Sequence, residues 1–157
     1  MPALTVEQRI ARLEAVEEIR TLKAIYCDLC DQNYDPAGLS ALFTEDATWD
    51  GGPFGRYEGR NAIFDFFKSI SGSLVFAGHL VTNPIITLTD QDRAAGKWRL
   101  WEPCSVQADA GLESRILLAA YDDVYVRQNG KWLHQSVKLH VNFFESLSAG
   151  WASSAVQ

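Results

Sequence analysis

Long apolar runs are missing from this sequence, and so is any cluster of basic residues. No stretch reaches the length and apolarity of a membrane-spanning helix, so no part of the chain is expected to cross a bilayer. Lysine and arginine total 14 against 20 aspartates and glutamates, a formal net charge of −6. That balance argues against nucleic acid or an anionic membrane surface as a partner, because both attract basic proteins. Several signatures are missing too: there is no GxGxxG, no P-loop, no GxSxG and no HExxH. Dinucleotide, nucleotide, serine-hydrolase and zincin readings therefore lack support. The stretch MPALTVEQRIARLEAVEE turns charged too soon for a signal peptide. Cysteine is scarce and odd in number, with three in all, which leads us to expect reduced thiols in a cytoplasmic protein.

What is present suits one globular domain of 157 residues, 47% hydrophobic and 11% aromatic. From Thr5 to about Tyr34 the spacing predicts a helix. Thr5 and Gln8 fit a capping box, and Ile10, Leu13, Val16, Ile19, Leu22, Ile25, Tyr26 and Leu29 recur three or four apart. A strict spacing of three drifts around a helix, so a bend or break near Ala15 is compatible with the pattern. NYDPAG is turn chemistry followed by a short helix, LSALF, and DATWDGG carries a strand. GRYEGRNAIFDFFKSI is a glycine turn and a helix with Ile63, Phe66, Phe67 and Ile70 on one face.

Beyond that helix the period becomes alternating. His79 to Leu88, Ala94 to Pro103, Arg115 to Val126 and Lys131 to Phe144 read as strands. Asn129-Gly130 is the preferred pair for a two-residue hairpin loop, which makes the last two strands antiparallel neighbours. Helices first and a long antiparallel sheet afterwards give an α+β chain. A curved sheet wrapped around the long helix would enclose one apolar pocket, the default place for a ligand.

Few residues could carry chemistry there. His79 sits in an apolar strand, in phase with Val75, Ala77 and Val81, and a buried imidazole needs a partner. A core histidine satisfied by a carbonyl and a pocket histidine are both open at this stage. His134 and His140 alternate with Trp132, Ser136, Lys138 and Asn142, the more polar phase of the last strand, and are expected in solvent or at a subunit contact. On a helical wheel Asp31 falls almost opposite Leu22 and Leu29, which suggests a solvated or capping carboxylate. Cys27 and Cys30 form a CxxC, but zinc would need further ligands and a redox site a βαβ setting. Two small apolar residues in a buried helix is the better reading.

The order of EEIRTLKAIYCDLCDQNYD, LFTEDATWDG, YEGRNAIFDFF, GHLVTNPIITL and YDDVYVRQNGKWLHQSVKLHVNFF resembles the SnoaL-like branch of the nuclear transport factor 2-like superfamily, over about residues 8–145. Within it the sequence is similar to the group of scytalone dehydratase, hexachlorocyclohexane dehydrochlorinase and bile-acid 7α-dehydratase. The resemblance implies a cone-shaped α+β barrel with a deep pocket. It also implies that Asp31 and His79 form a hydrogen-bonded dyad, against the helical wheel, and that Tyr26 flanks the same cavity. His79 would be a general base near neutral pH, Asp31 its orienter, and Tyr26 a donor to a leaving oxygen or enolate. Such a set performs elimination or isomerisation without metal or cofactor.

Several relatives carry an arginine on the last strand where this chain has Val137 or Val141, while Lys138 and Asn142 point the other way in a regular strand. A cationic clamp is therefore not expected. The pocket, with Trp49, Phe54, Phe67, Leu80, Trp98, Val137 and Val141 as expected lining, suits a steroid, polyketide or aromatic molecule. The leading expectation is a cofactor-free lyase of the dehydratase type. An isomerase or cyclase with the same dyad, a non-catalytic binding module, and the small subunit of a ring-hydroxylating dioxygenase are the other readings. A homo-oligomer, with a trimer favoured, is expected, the C-terminal segment docking on a neighbour through Phe143, Phe144 and Trp151.

Overall fold

A computed structural model describes residues 4–109 and 111–148. Helix α1 (Val6–Asp31) begins at the expected capping box: the Gln8 backbone N–H donates to the Thr5 hydroxyl, and the Thr5 backbone N–H donates to the Gln8 side chain. It runs 26 residues without a break at Ala15. Its buried stripe is Ala15, Ile19, Leu22, Lys23, Tyr26, Cys27 and Cys30, whereas Ile10, Leu13 and Ile25 are exposed. The three-residue spacing drifted off the packed face, as that period must. Two short helices follow, α2 (Pro36–Ala41), capped by Asp35, and α3 (Arg60–Ile70), which buries Ile63, Phe66 and Phe67.

The strands are β1 (Phe43–Asp50), β2 (Arg56–Glu58), β3 (Leu74–Ala77), β4 (Leu80–Leu88), β5 (Arg93–Ala108), β6 (Gly111–Gln128) and β7 (Lys131–Ser146). They form one unclosed sheet in the order β2-β1-β7-β6-β5-β3, with β4 also pairing β5. β1 and β7 run parallel and the other pairs antiparallel. This is the α+β cone expected of the nuclear transport factor 2-like fold. The hairpin at Asn129-Gly130 forms as predicted, with φ of 50° and 77° at the two loop residues.

One expectation for β7 fails. Val124 pairs with Ser136 but Tyr125 pairs with His134, so Gln135 is an extra residue and the facing of the strand changes there. His134 is consequently fully buried rather than solvated, among the rings of Tyr26, Phe43 and Tyr125 at 5.5, 5.2 and 4.9 Å. His140 remains exposed, 3.0 Å from Asp122. Among the described residues neither ring nitrogen of His134 has a hydrogen-bond partner, and burial, helped by the Lys23 charge, holds its pKa well below the usual imidazole value.

Because the folded-state value is depressed, the unfolded chain binds a proton at His134 before the folded one does. This contribution to stability is intact above about pH 6.5 and is lost as pH falls below it. We expect His134→Leu, of similar volume, to reduce the fall in Tm on acidification from about pH 7 to 5. Thermal melts of the two proteins at both pH values check this, and parallel losses would refute it.

Candidate active site

β3 and β4 are consecutive stretches along one edge of β5. Ala77 lies opposite Cys104 and Leu80 opposite Trp101, so Gly78 and His79 bridge past Pro103 and Glu102. Gly78 N–H donates to the Pro103 carbonyl at 3.0 Å. The strand expected from His79 to Leu88 begins one residue later, at Leu80, and the imidazole turns in with only 5% of its side chain exposed.

Asp31 meets it from the last residue of α1. His79 Nδ1 is 2.8 Å from Asp31 Oδ1, and the His79 backbone N–H donates to the same carboxylate at 2.9 and 3.2 Å. A carboxylate can only accept, so Nδ1 is the donor in this contact, and Nε2 lies on the opposite side of the ring, away from Asp31. The helical wheel misplaced Asp31 because it was centred on Leu22 and Leu29. The packed stripe runs through Lys23, Cys27 and Cys30, and Asp31, four residues after Cys27, lies at its edge.

His79 Nε2 faces Glu102 Oε2 at 3.5 Å. Glu102 escaped the sequence reading, although a signal was there. β5 alternates strictly, with Ala94, Trp98, Leu100 and Cys104 buried, and Glu102 is the carboxylate in that apolar phase. Burial raises the Glu102 pKa, Asp31 adds to the rise and His79 opposes it.

These groups open onto a cavity of about 370 Å³. Aromatic rings make most of its wall: Tyr26, Tyr34, Trp49, Phe54, Phe66, Phe67, Tyr121 and Phe144, with Leu74, Leu117 and Leu139. No lysine or arginine lines it among the described residues. Lys138 and Asn142 are exposed, in keeping with the expected lack of a cationic clamp.

Of the residues expected at this site, Tyr26, Trp49, Phe54, Phe67 and His79 line the cavity, and Asp31 stands behind His79. Leu80, Trp98, Val137 and Val141 are not among its lining residues. Leu80 follows the break at Gly78–His79 and is 53% exposed. Trp98 sits four residues from Glu102 along β5, its indole N–H bonded to the Tyr125 hydroxyl at 3.0 Å. Val137 is fully buried and Val141 partly so, while Leu139 of the same strand reaches the cavity.

Tyr26 is fixed by its neighbours. The Trp49 indole N–H donates to its hydroxyl at 3.0 Å, which leaves the phenolic hydrogen to donate elsewhere. Burial pushes its pKa well up, so it is a neutral donor. Beneath it Lys23 Nζ pairs with Asp123 Oδ2 at 2.9 Å, both side chains fully buried, and lies 3.3 Å from the centre of the Tyr121 ring. The Tyr125 hydroxyl donates to the same Asp123 oxygen at 2.8 Å. This ionic cluster joins α1 to β6 behind the cavity wall. Cys27, Cys30 and Cys104 are free and buried, and burial pushes Cys27 and Cys104 up to about 12. The CxxC thus consists of inert thiols packed as small apolar groups.

The SnoaL-like domain family matches residues 11–138. The chain belongs to that family. Several proteins of solved structure share its fold. A scytalone dehydratase-like protein from Novosphingobium aromaticivorans superposes with a TM-score of 0.80 at 21% identity, over 87% of this chain and 90% of that one. The hexachlorocyclohexane dehydrochlorinase LinA gives 0.82 at 20% identity, over 90% and 95%. Its type-3 form from Novosphingobium barchaimii gives 0.78 at 21%, over 90% and 96%. Comparison with curated proteins found no match. No helix among the described residues is long and apolar enough to cross a membrane.

Proposed function

We propose that this SnoaL-like protein is a lyase of the dehydratase type acting on a hydrophobic small molecule, with His79 as general base and Asp31 as its orienter. The observation that carries the reading is the 2.8 Å contact of His79 Nδ1 with Asp31 at the wall of an aromatic cavity. A ligand-binding module has no need of a base and an orienter. His79 Nε2 takes a proton from carbon, and the electrons left behind expel a group from the neighbouring carbon. Asp31 holds the tautomer and stabilises the imidazolium that forms. Tyr26 donates its hydroxyl hydrogen to the oxygen on which charge develops. An isomerase would use the same base and return the proton to another carbon. That two similar folds are named for a dehydratase and a dehydrochlorinase supports elimination.

The dyad is tested by ¹⁵N NMR of the histidine rings, assigned through His79→Gln. We expect His79 as the Nδ1–H tautomer in the native protein and a shift toward the Nε2–H form in Asp31→Asn. An unchanged tautomer would remove the orienter from the reading.

We also propose a homo-oligomer, with a trimer favoured. Val75, Phe76, Leu80 and Trp101 are exposed on β3, β4 and β5, an apolar area that a second copy could cover. Phe143 and Phe144 are largely buried within the chain itself, against Trp101 and Phe54, and Trp151 lies outside the described residues. Light scattering at micromolar concentration is expected to give a multiple of 17.5 kDa. A monomer would sink this.

A further inference from the structure

We propose that Tyr34 is a positioning residue for His79: the turn that ends α1 swings its ring onto the imidazole, and the ring keeps the base turned toward Asp31. The inference rests on the lyase reading above and adds a residue to the same site.

The turn itself is unusual. After Asp31 and Gln32 the chain passes through Asn33 at φ 64° and Tyr34 at φ 54°. Asparagine tolerates the left-handed region, because its short polar side chain can bond to the local backbone. A tyrosine there is a genuine outlier, and glycine is the residue that such a helix end usually carries. Two backbone bonds close the turn, from Gln32 N–H to the Asp28 carbonyl at 2.9 Å and from Tyr34 N–H to the Cys30 carbonyl at 3.1 Å. A strained residue persists only where its surroundings fix it, and such residues cluster at functional sites.

The surroundings here are the site. Tyr34 is 5% exposed and lines the cavity. Its ring centre lies 5.9 Å from that of the His79 imidazole, the planes nearly perpendicular at 76°. On the Phe67 ring of α3 it is stacked at 6.1 Å and 20°, and Phe67 is itself buried, so the Tyr34 ring is backed by the core.

That support supplies what Asp31 lacks. The carboxylate holds the imidazole at one nitrogen only, Nδ1, and is itself 37% exposed. A single hydrogen bond so open to water leaves the ring room to rotate, and a neighbouring ring held against the core removes that room. Asp31 and Tyr34 stand three residues apart on one turn, so one short segment sets both the nitrogen contact and the flank of the base. Losing the ring should therefore disturb the aim of the base more than the hold on the substrate.

The first test needs no turnover. The ¹⁵N signals of the His79 ring, assigned through His79→Gln, are expected to report one arrangement in the native protein. In Tyr34→Ala they should broaden or split, and in Tyr34→Phe, which keeps the ring, return to the native pattern. Sharp native signals in Tyr34→Ala would overturn the proposal, and a Tyr34→Phe protein that behaves like Tyr34→Ala would refute the ring as the cause. Tyr34→Gly also loses the ring but relieves the left-handed backbone, so it is expected to melt above Tyr34→Ala and to share its His79 signals. It remains informative where Tyr34→Ala fails to fold. Native His79 signals in Tyr34→Gly would show that the ring does not position the base.

The second test follows elimination from a benzylic β-hydroxy ketone, used as a probe. Tyr34→Ala is expected to lower kcat by about 10²-fold, the cost of roughly 1 Å of misplacement, with KM changed by less than about threefold. Tyr34→Phe should restore kcat. A raised KM at unchanged kcat would make Tyr34 a wall of the cavity and refute it as a positioning residue. Were His79→Gln to leave turnover of the probe unchanged, the lyase reading itself would fall, while the ring signals would still decide whether Tyr34 holds the imidazole.

Discussion

Replacing Lys23 by methionine is expected to destabilise the protein by about 3–5 kcal/mol, the range for breaking a fully buried ion pair. Lys23 and Asp123 are both 0% exposed and 2.9 Å apart. Burial pushes the Asp123 carboxyl up and the Lys23 ammonium pulls it down. Without the ammonium, Asp123 must stay charged in an apolar setting or take up a proton, and either costs free energy. Oδ1 of Asp123 already has no partner among the described residues, so little can compensate.

For a domain of this size the loss corresponds to roughly 6–20 °C in Tm. Lys23→Met with Asp123→Leu is expected to recover most of it, because an apolar pair of similar volume leaves no charge behind. A single variant that melts within about 2 °C of the native protein would show that the pair contributes no net stability. The cluster also carries Tyr121 and touches Tyr26, both of which line the cavity. The double variant can therefore be stable and still hold a ligand less tightly.

The second large effect concerns turnover. His79→Gln is expected to lower the rate of proton abstraction by about 10²–10⁴-fold, the usual value of a well-placed general base. Asp31→Asn is expected to lower it by at least about tenfold, since an amide can hold the ring in the wrong tautomer. Asp31 is 37% exposed, so the loss of its charge should barely change stability. The benzylic β-hydroxy ketone is a suitable probe, its enone product being visible in the ultraviolet. Melting curves beside the rates separate a catalytic defect from a folding defect. A His79→Gln protein that keeps its Tm and a rate within threefold of native would end the general-base assignment.

Much of the frame is written locally. The Thr5–Gln8 capping box, the Asn129-Gly130 hairpin and the apolar face of α3 depend on residues within one turn or one loop, and all three form as read. The strict alternation of β5 likewise marks Glu102 as inward facing, for anyone who follows its phase. The resemblance supplied what local pattern did not, placing Asp31 beside His79.

What the sequence by itself determined is the class of the longer elements, their inward face where the period is unbroken, and the order of helices and strands that makes an α+β cone. The three-residue strand Arg56–Glu58, read as part of a turn, and Phe43, read as helix but the start of β1, were not among them. Only the tertiary structure decided the rest. The extra residue at Gln135 buries His134, and the break at Gly78–His79 turns one imidazole into the cavity while sending Leu80 outward. A strand's facing has a period of two, so one inserted residue reverses everything beyond it, and where that residue goes is set by the neighbouring strand. The ionic contacts are equally non-local, Asp31 and His79 lying 48 positions apart and Lys23 and Asp123 100 apart. Such pairs exist only once α1 has docked on the curved sheet.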